Sequence, residues 1–109
     1  MKTSEIVVRV ETDENHVPEK MIWTSGENKT PSECKALIFS AWDGATRETL
    51  RIDLWTKDMM LDEMKYFMHQ TLLTMADTME KATGEKEMAM SMRDFSDYFA
   101  EKMGFSAEE

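Results

Sequence analysis

The fold is decided by the stretch LRIDLWTKDM, residues 50–59, and by the long segment that follows it up to Gly84. Leu50, Ile52 and Leu54 alternate with polar residues, which indicates a strand with one apolar face. Asp58 is a typical N-cap residue, so a helix is predicted to start just after it. The predicted buried stripe of this helix consists of Leu61, Met64, Met68, Leu72, Met75 and Met79, with Phe67 beside it.

Two further strands are predicted upstream. Residues 5–12 alternate, with Ile6, Val8 and Val10 on one face. A polar turn follows, and residues 19–24 are predicted to form a second strand. The simplest connection of these two strands is an antiparallel hairpin. Residues 25–32 are rich in Ser, Gly, Asn and Thr and are predicted to form a loop.

Residues 36–42 leave two interpretations open. Thr30, Pro31 and Glu33 fit the start of a helix that would carry Leu37 and Trp42 on one stripe. The alternative is a short apolar strand that turns at residues 43–44 and pairs with residues 49–56. The strand is preferred, because a strand over residues 50–54 needs a hydrogen-bonding neighbour.

The C-terminal part predicts a second helix after Gly84, opened by Thr83 or Glu85 and ended by a glycine C-cap at Gly104. Its predicted buried face consists of Met88, Met92, Phe95, Phe99 and Met103. The predicted fold is therefore α+β: a four-stranded antiparallel meander (strands at about 4–56) packed in two layers against a C-terminal pair of helices (about 59–104). Residues 1–109 are expected to form a single domain.

Composition limits the function. Lys and Arg number 13 against 22 Asp and Glu, giving a net charge of −9. This charge repels nucleic acids and anionic membrane surfaces. No stretch is apolar and long enough for membrane insertion, and the N-terminus does not read as a signal peptide. Cys34 is the only cysteine, so no internal disulfide forms, and a cytoplasmic protein is expected.

No catalytic or cofactor motif is found, and an enzyme is not expected. His69 lacks a carboxylate three or four residues before it, so the pattern of carboxylate-bridged metal bundles is missing. The carboxylate pairs Asp77 with Glu80 and Asp94 with Asp97 are interpreted as a solvated face in preference to a cation site. Cys34 has no nearby histidine and is interpreted as a packing residue.

The methionines and tryptophans of the chain suggest a binding protein. The chain has 12 methionines, more than the helical stripes accommodate, and methionine suits an adaptable surface for another protein. Trp55 falls on the strand face opposite Leu54, where an exposed tryptophan indicates a binding patch. The expected partner-binding residues are Trp42, Trp55, Met59 and Met60.

Residues 50–59 also resemble the GldC family, the small gliding-motility-associated proteins of the Bacteroidota. The likeness continues through HQTL (69–72), MADT (75–78), ATGE (82–85), MRDF (92–95) and DYFAEKM (97–103), and includes MKTSEI (1–6) and VPEK (17–20). The chain departs from the family pattern at Met60, where proline is expected.

The resemblance implies a cytoplasmic accessory protein of the gliding system, linked to a lipoprotein of that system or its complex, with no cofactor, metal or catalytic residue to carry over. The leading hypothesis is a non-enzymatic protein that binds a protein partner. The alternative is a small-ligand or divalent-cation-binding domain lined by His69, Tyr66 and acidic side chains. Self-association into a homodimer across a strand edge is a third hypothesis.

Overall fold

The computed structural model describes residues 1–26 and 30–105. Its elements are β1 (Ile6–Thr12), β2 (Pro18–Ser25), β3 (Ser32–Cys34), β4 (Ala36–Asp43), β5 (Glu48–Trp55), α1 (Leu61–Thr83) and α2 (Lys86–Lys102). The chain divides into two compact units, Met1–Met59 with all five strands and Met60–Glu109 with both helices. The α+β class is confirmed. A single domain and the packing of helices on sheet in two layers stay predictions.

The single four-stranded meander was wrong. The strands form two antiparallel sheets, one with the order β1-β2-β3 and one with the order β4-β5. The short strand β3 pairs with β2 through Ile22 opposite Glu33, and it occupies the edge of β2 that the meander assigned to β4. The chain leaves this sheet after Cys34, and β4 begins at Ala36.

The strand interpretation of residues 36–42 is confirmed, because β4 runs from Ala36 to Asp43. The predicted loop over residues 25–32 was wrong at both ends, since Ser25 belongs to β2 and Ser32 belongs to β3; its residues 27–29 lie outside the described part of the chain. Met21 of β2 is fully buried and lies between Val10 of β1 and Cys34 of β3, so these three residues share one face of the sheet.

The first helix begins at Leu61, with Met60 as its N-cap instead of Asp58. The carboxylate of Asp58 is engaged by the hydroxyl of Thr56, whereas Glu63 accepts a hydrogen bond from the backbone N–H of Met60 at 3.0 Å. Glu63 therefore satisfies one of the backbone donors at the helix start.

Two glycines end the helices as predicted. Gly84 has a φ of 74° and donates its N–H to Glu80 O at 2.9 Å, and α2 follows with Glu85 as its N-cap. Gly104 has a φ of 85°, and the N–H of Phe105 reaches back to Ala100 O at 2.9 Å. Both positions need the left-handed backbone that glycine adopts without strain.

The most buried residues of the two helices are mostly small, which corrects the predicted stripes of large apolar residues. The buried residues are His69 and Ala76 on α1 and Ala89, Ser96 and Ala100 on α2. By contrast Met75, Met88 and Phe95 remain about half exposed. Small residues at a contact let two helices approach closely, and of the predicted large residues Phe99 still contacts His69 across the two helices.

Candidate functional site

The candidate site is the β4–β5 hairpin, a two-stranded ribbon whose register fixes the two faces. One face, called the apolar face, consists of Leu37, Phe39, Ala41, Leu50, Ile52 and Leu54, with Asp43 and Glu48 at its tip. The other, called the tryptophan face, consists of Ala36, Ile38, Ser40, Trp42, Thr49, Arg51, Asp53 and Trp55. The assignment follows from the alternation of side chains along paired strands.

The tip of the hairpin is held by Asp43. Its carboxylate oxygen Oδ1 accepts the backbone N–H of Ala45 at 2.9 Å and of Thr46 at 3.2 Å. Its carbonyl oxygen accepts the N–H of Arg47 at 2.8 Å, and Arg47 has a φ of 60°. An aspartate that bonds the backbone of the following residues is a strong turn former, so this turn fixes the register of both strands.

The base of the hairpin is held at Thr56, which is buried. Its N–H donates to Lys35 O at 2.8 Å, and its hydroxyl lies 2.5 Å from Asp58 Oδ1. The hydrogen bond from the Thr56 hydroxyl is the main reason that the pKa of Asp58 is lowered. The end of β5 is therefore hydrogen-bonded both to Lys35, the residue before β4, and to Asp58, which follows it in the chain.

A charged cluster next to the base connects it to the three-stranded sheet. The backbone N–H of Lys57 donates to Pro18 O at 3.1 Å, and its ammonium group pairs with Asp13 at 2.5 Å and Glu19 at 3.3 Å. The hydrogen bond with Lys57 lowers the pKa of Asp13, with a further contribution from the N–H of Val17. The Lys57 pKa is raised by the same carboxylates.

The predicted anchors Trp42 and Trp55 both lie on the tryptophan face, with 63% and 56% of their surfaces exposed. Trp55 is opposite Ala36, so the two tryptophans are six residues apart along β4, roughly 20 Å at the rise of a strand. Within one chain they do not form a contiguous patch. Arg51 and Asp53 lie between them and pair at 2.9 Å.

The other two predicted site residues follow the hairpin. Met59 is half-buried, and its N–H donates to Thr56 O at 3.1 Å. Met60 is 65% exposed at the N-cap of α1.

The exposure of the apolar face was not predicted from the sequence. Phe39, Leu50 and Ile52 each expose slightly more than half of their surface. The alternation of Leu50, Ile52 and Leu54 was the available signal, but alternation indicates only that one face is apolar and not what covers it. Both faces of this hairpin therefore present large exposed side chains.

His69, named in the ligand-binding alternative, lies in an aromatic cluster of the helical unit. It is buried, with Phe99 at 6.2 Å and Phe105 at 5.3 Å between ring centroids, and among the residues that the structure describes its Nε2 has no hydrogen-bond partner. Tyr66 also contacts Phe105, at 4.5 Å. His69 and Tyr66 therefore both contact Phe105, and the ring contacts of His69 are with phenylalanines.

The carboxylates of the helical unit have another role. Arg93 donates to Asp77 at 2.9 Å and to Glu80 at 3.0 Å, so it joins α2 to α1 and occupies the first of the two predicted acidic pairs. Asp94 and Asp97 are exposed. Within residues 1–26 and 30–105, no three His, Cys, Asp or Glu side chains come together in a way that suits a metal ion.

Cys34 is half-buried on β3, and burial raises the pKa of its thiol. A raised pKa keeps a thiol protonated and unreactive, which agrees with the packing role predicted for it. In the part of the chain that the structure describes, no helix has the length and apolar character needed to cross a membrane.

Comparison with known proteins identifies the family. Residues 18–105 match the model of the GldC-like family, described as gliding motility-associated protein GldC-like. This match covers most of the chain, so the chain belongs to the GldC-like family of gliding-motility-associated proteins, and the resemblance based on residues 50–59 is confirmed. No curated protein matches the chain, and no solved structure matches it.

Proposed function

We propose that this chain is a non-enzymatic, cytoplasmic accessory protein of the gliding machinery that binds a protein partner through the β4–β5 hairpin. The observation that carries the proposal is the exposure of large side chains on both faces of one well-anchored hairpin. A two-stranded ribbon is only marginally stable by itself, so surface of this kind gains stability when another chain covers it.

The tryptophan face supplies the anchors. Trp42 and Trp55 are rigid and largely exposed, and tryptophan is the side chain most enriched among the residues that dominate binding energy. Met59 and Met60, the other two predicted binding residues, follow β5 in the chain and have adaptable side chains. The partner expected from the family resemblance is a lipoprotein of the same system, or a complex that contains it.

The turn and the base support this role. Asp43 fixes the tip and Thr56 fixes the base, so little backbone ordering remains to be done on binding. Preorganisation of this kind lowers the entropic cost of association.

The test is capture of cross-linked partners from a gliding bacterium with tagged wild-type protein, a Trp55→Ala variant and a Tyr98→Ala variant. Tyr98 is the matched control, because it is an aromatic residue on α2 with 52% of its surface exposed. Loss of an anchor tryptophan is expected to weaken binding by about 30-fold or more.

One gliding protein is expected to be captured by the wild type and by Tyr98→Ala, and to be lost with Trp55→Ala. Equal capture by all three proteins would exclude Trp55 as an anchor. Circular dichroism of each variant checks that the fold survives.

A further inference from the structure

The sequence of β5 is chemically symmetric about its centre. Residues 50–54 are Leu-Arg-Ile-Asp-Leu, in which apolar residues alternate with one cation and one anion. Reversing the order keeps the apolar positions and exchanges the cation with the anion. One edge of β5 pairs with β4. At its other edge, no strand pairs with β5 in the described ranges 1–26 and 30–105. An unpaired edge is a template for another strand.

We infer that β5 pairs in antiparallel fashion with β5 of a second copy of this chain, about a two-fold axis at Ile52. This register places Arg51 opposite Asp53 of the partner subunit, and Asp53 opposite Arg51 of the partner subunit. Leu50 then faces Leu54 of the partner subunit. Opposite charges and apolar pairs directly across two strands stabilise the pairing.

Other registers do not offer this match. Residues opposite each other must lie on the same face of the sheet. The two-fold axis must therefore lie level with one residue, which then faces its own copy, and not level with the bond between two residues. An axis at Arg51 places two arginines opposite each other, and an axis at Asp53 does the same with two aspartates. β4 has no such pair of opposite charges along its length before Asp43, so within the hairpin charge complementarity favours pairing through β5 over pairing through β4.

The residues that this pairing needs are accessible. The side chains of Arg51 and Asp53 are 51% and 46% exposed, and they already lie on the same face, 2.9 Å apart. Ile52 at the axis exposes 54% of its surface. The two ion pairs within strands, one in each chain, are replaced by two ion pairs between strands, so neither Arg51 nor Asp53 is left without a partner.

The dimer completes the sheet. The strand order becomes β4-β5-β5-β4, and the apolar faces of the two hairpins join into one continuous surface. Sheets of three or more strands with an apolar face reach the stability that a lone hairpin lacks.

The same register also assembles the tryptophans. Thr49 is opposite Trp42 in its own chain and becomes opposite Trp55 of the partner subunit. Trp42 and the partner's Trp55 then lie in one row, two strands or roughly 10 Å apart, compared with roughly 20 Å within one chain. This assembly goes beyond the partner-binding role, since it requires no other protein.

The experiment measures the mass of purified full-length protein by sedimentation equilibrium for the wild type and for Arg51→Asp and Asp53→Arg, alone and mixed. Each single variant places like charges opposite each other twice, and its dimer dissociation constant is expected to rise by about tenfold or more. In an equimolar mixture, both charge pairs are restored, and heterodimers are expected to form.

A second measurement fixes the register. In a Cys34→Ser background, Ile52→Cys is expected to form a disulfide-linked dimer on mild oxidation, because residues opposite each other at the axis lie about 5 Å apart between Cα atoms. Leu50→Cys is the control. The two copies of residue 50 would be four residues apart along the sheet, roughly 13 Å, which is too far for a disulfide.

A wild type that stays at the monomer mass of 12.7 kDa at high concentration would overturn the inference. It would also be overturned by a mixture that remains monomeric while the wild type dimerises, or by equal cross-linking at positions 50 and 52. None of these results affects partner capture through Trp55, which is measured separately.

Discussion

Replacing Ala89 by leucine tests the helix contact directly. Ala89 is fully buried on α2, the helix that packs on α1, and the small residues Ala76 and Ser96 are likewise fully buried. Leucine adds three carbon atoms at a position with no free surface. Overpacking of this kind costs about 1–3 kcal/mol, since the helices must separate or the side chain must adopt a strained rotamer. A loss of about 2 kcal/mol corresponds to a fall in Tm of roughly 8–16 °C for a small domain.

The assay is thermal and urea unfolding followed by far-ultraviolet circular dichroism. The control is Met90→Leu, because Met90 is the next residue of the same helix and is 63% exposed. This exchange conserves volume at a surface position, so the free energy of unfolding is expected to change by less than about 0.5 kcal/mol. Unfolding of Ala89→Leu at the wild-type temperature, or an equal loss for Met90→Leu, would refute the small-residue contact.

Three further predictions concern stability. Met21→Ala empties the fully buried position of β2 and is expected to lower the free energy of unfolding by about 2–5 kcal/mol, measured by urea unfolding; a loss below about 1 kcal/mol would contradict the burial. Gly84→Ala forces a side chain into the left-handed backbone between the helices and is expected to cost about 1–2 kcal/mol in the same assay, whereas no loss would mean that the turn relaxes. Because the pKa of Asp13 is lowered by its hydrogen bond with Lys57, its stabilising contribution is complete above the ordinary aspartate value of about 3.9 and is lost as the pH falls through the lower folded value. Urea midpoints from neutral pH down to about pH 2 should therefore fall less steeply for Asp13→Asn than for the wild type, and equal slopes would count against the pair.

The sequence predicted the hairpin well because its signals are local. The alternation of Leu50, Ile52 and Leu54 identified β5, and the turn at residues 43–44 identified its partner β4. The same alternation correctly placed Trp55 on the face opposite Leu54. Periodicity of this kind depends only on neighbouring residues, which is why it can be read without a structure.

Strand partnership was not predictable in the same way. β3 has only three residues, Ser32–Cys34, and none of them is a strong strand former. Its pairing with Ile22 and the other residues of β2 depends on tertiary contact. Once β3 holds that edge, β4 must pair elsewhere, and the four-stranded meander becomes two sheets.

The helix faces show a second limit. The pattern of large apolar residues predicted contact through Met88 and Phe95, whereas the buried line uses Ala89, Ser96 and Ala100. Hydrophobic periodicity gives most weight to large side chains, but close packing of two helices favours small ones. The sequence also named the tryptophans as candidates but did not show their separation, because that separation depends on the register of the two strands.

The most direct measurement of the central claim, that the β4–β5 hairpin is the partner-binding surface, is site-specific photo-crosslinking in a gliding bacterium. A benzophenone amino acid would replace Thr49, the exposed residue opposite Trp42, in one strain and Lys81, an exposed residue near the end of α1, in a control strain. Irradiation is expected to link position 49, and not position 81, to another gliding protein identified by mass spectrometry. Adducts that form at position 81 but not at position 49 would refute the claim.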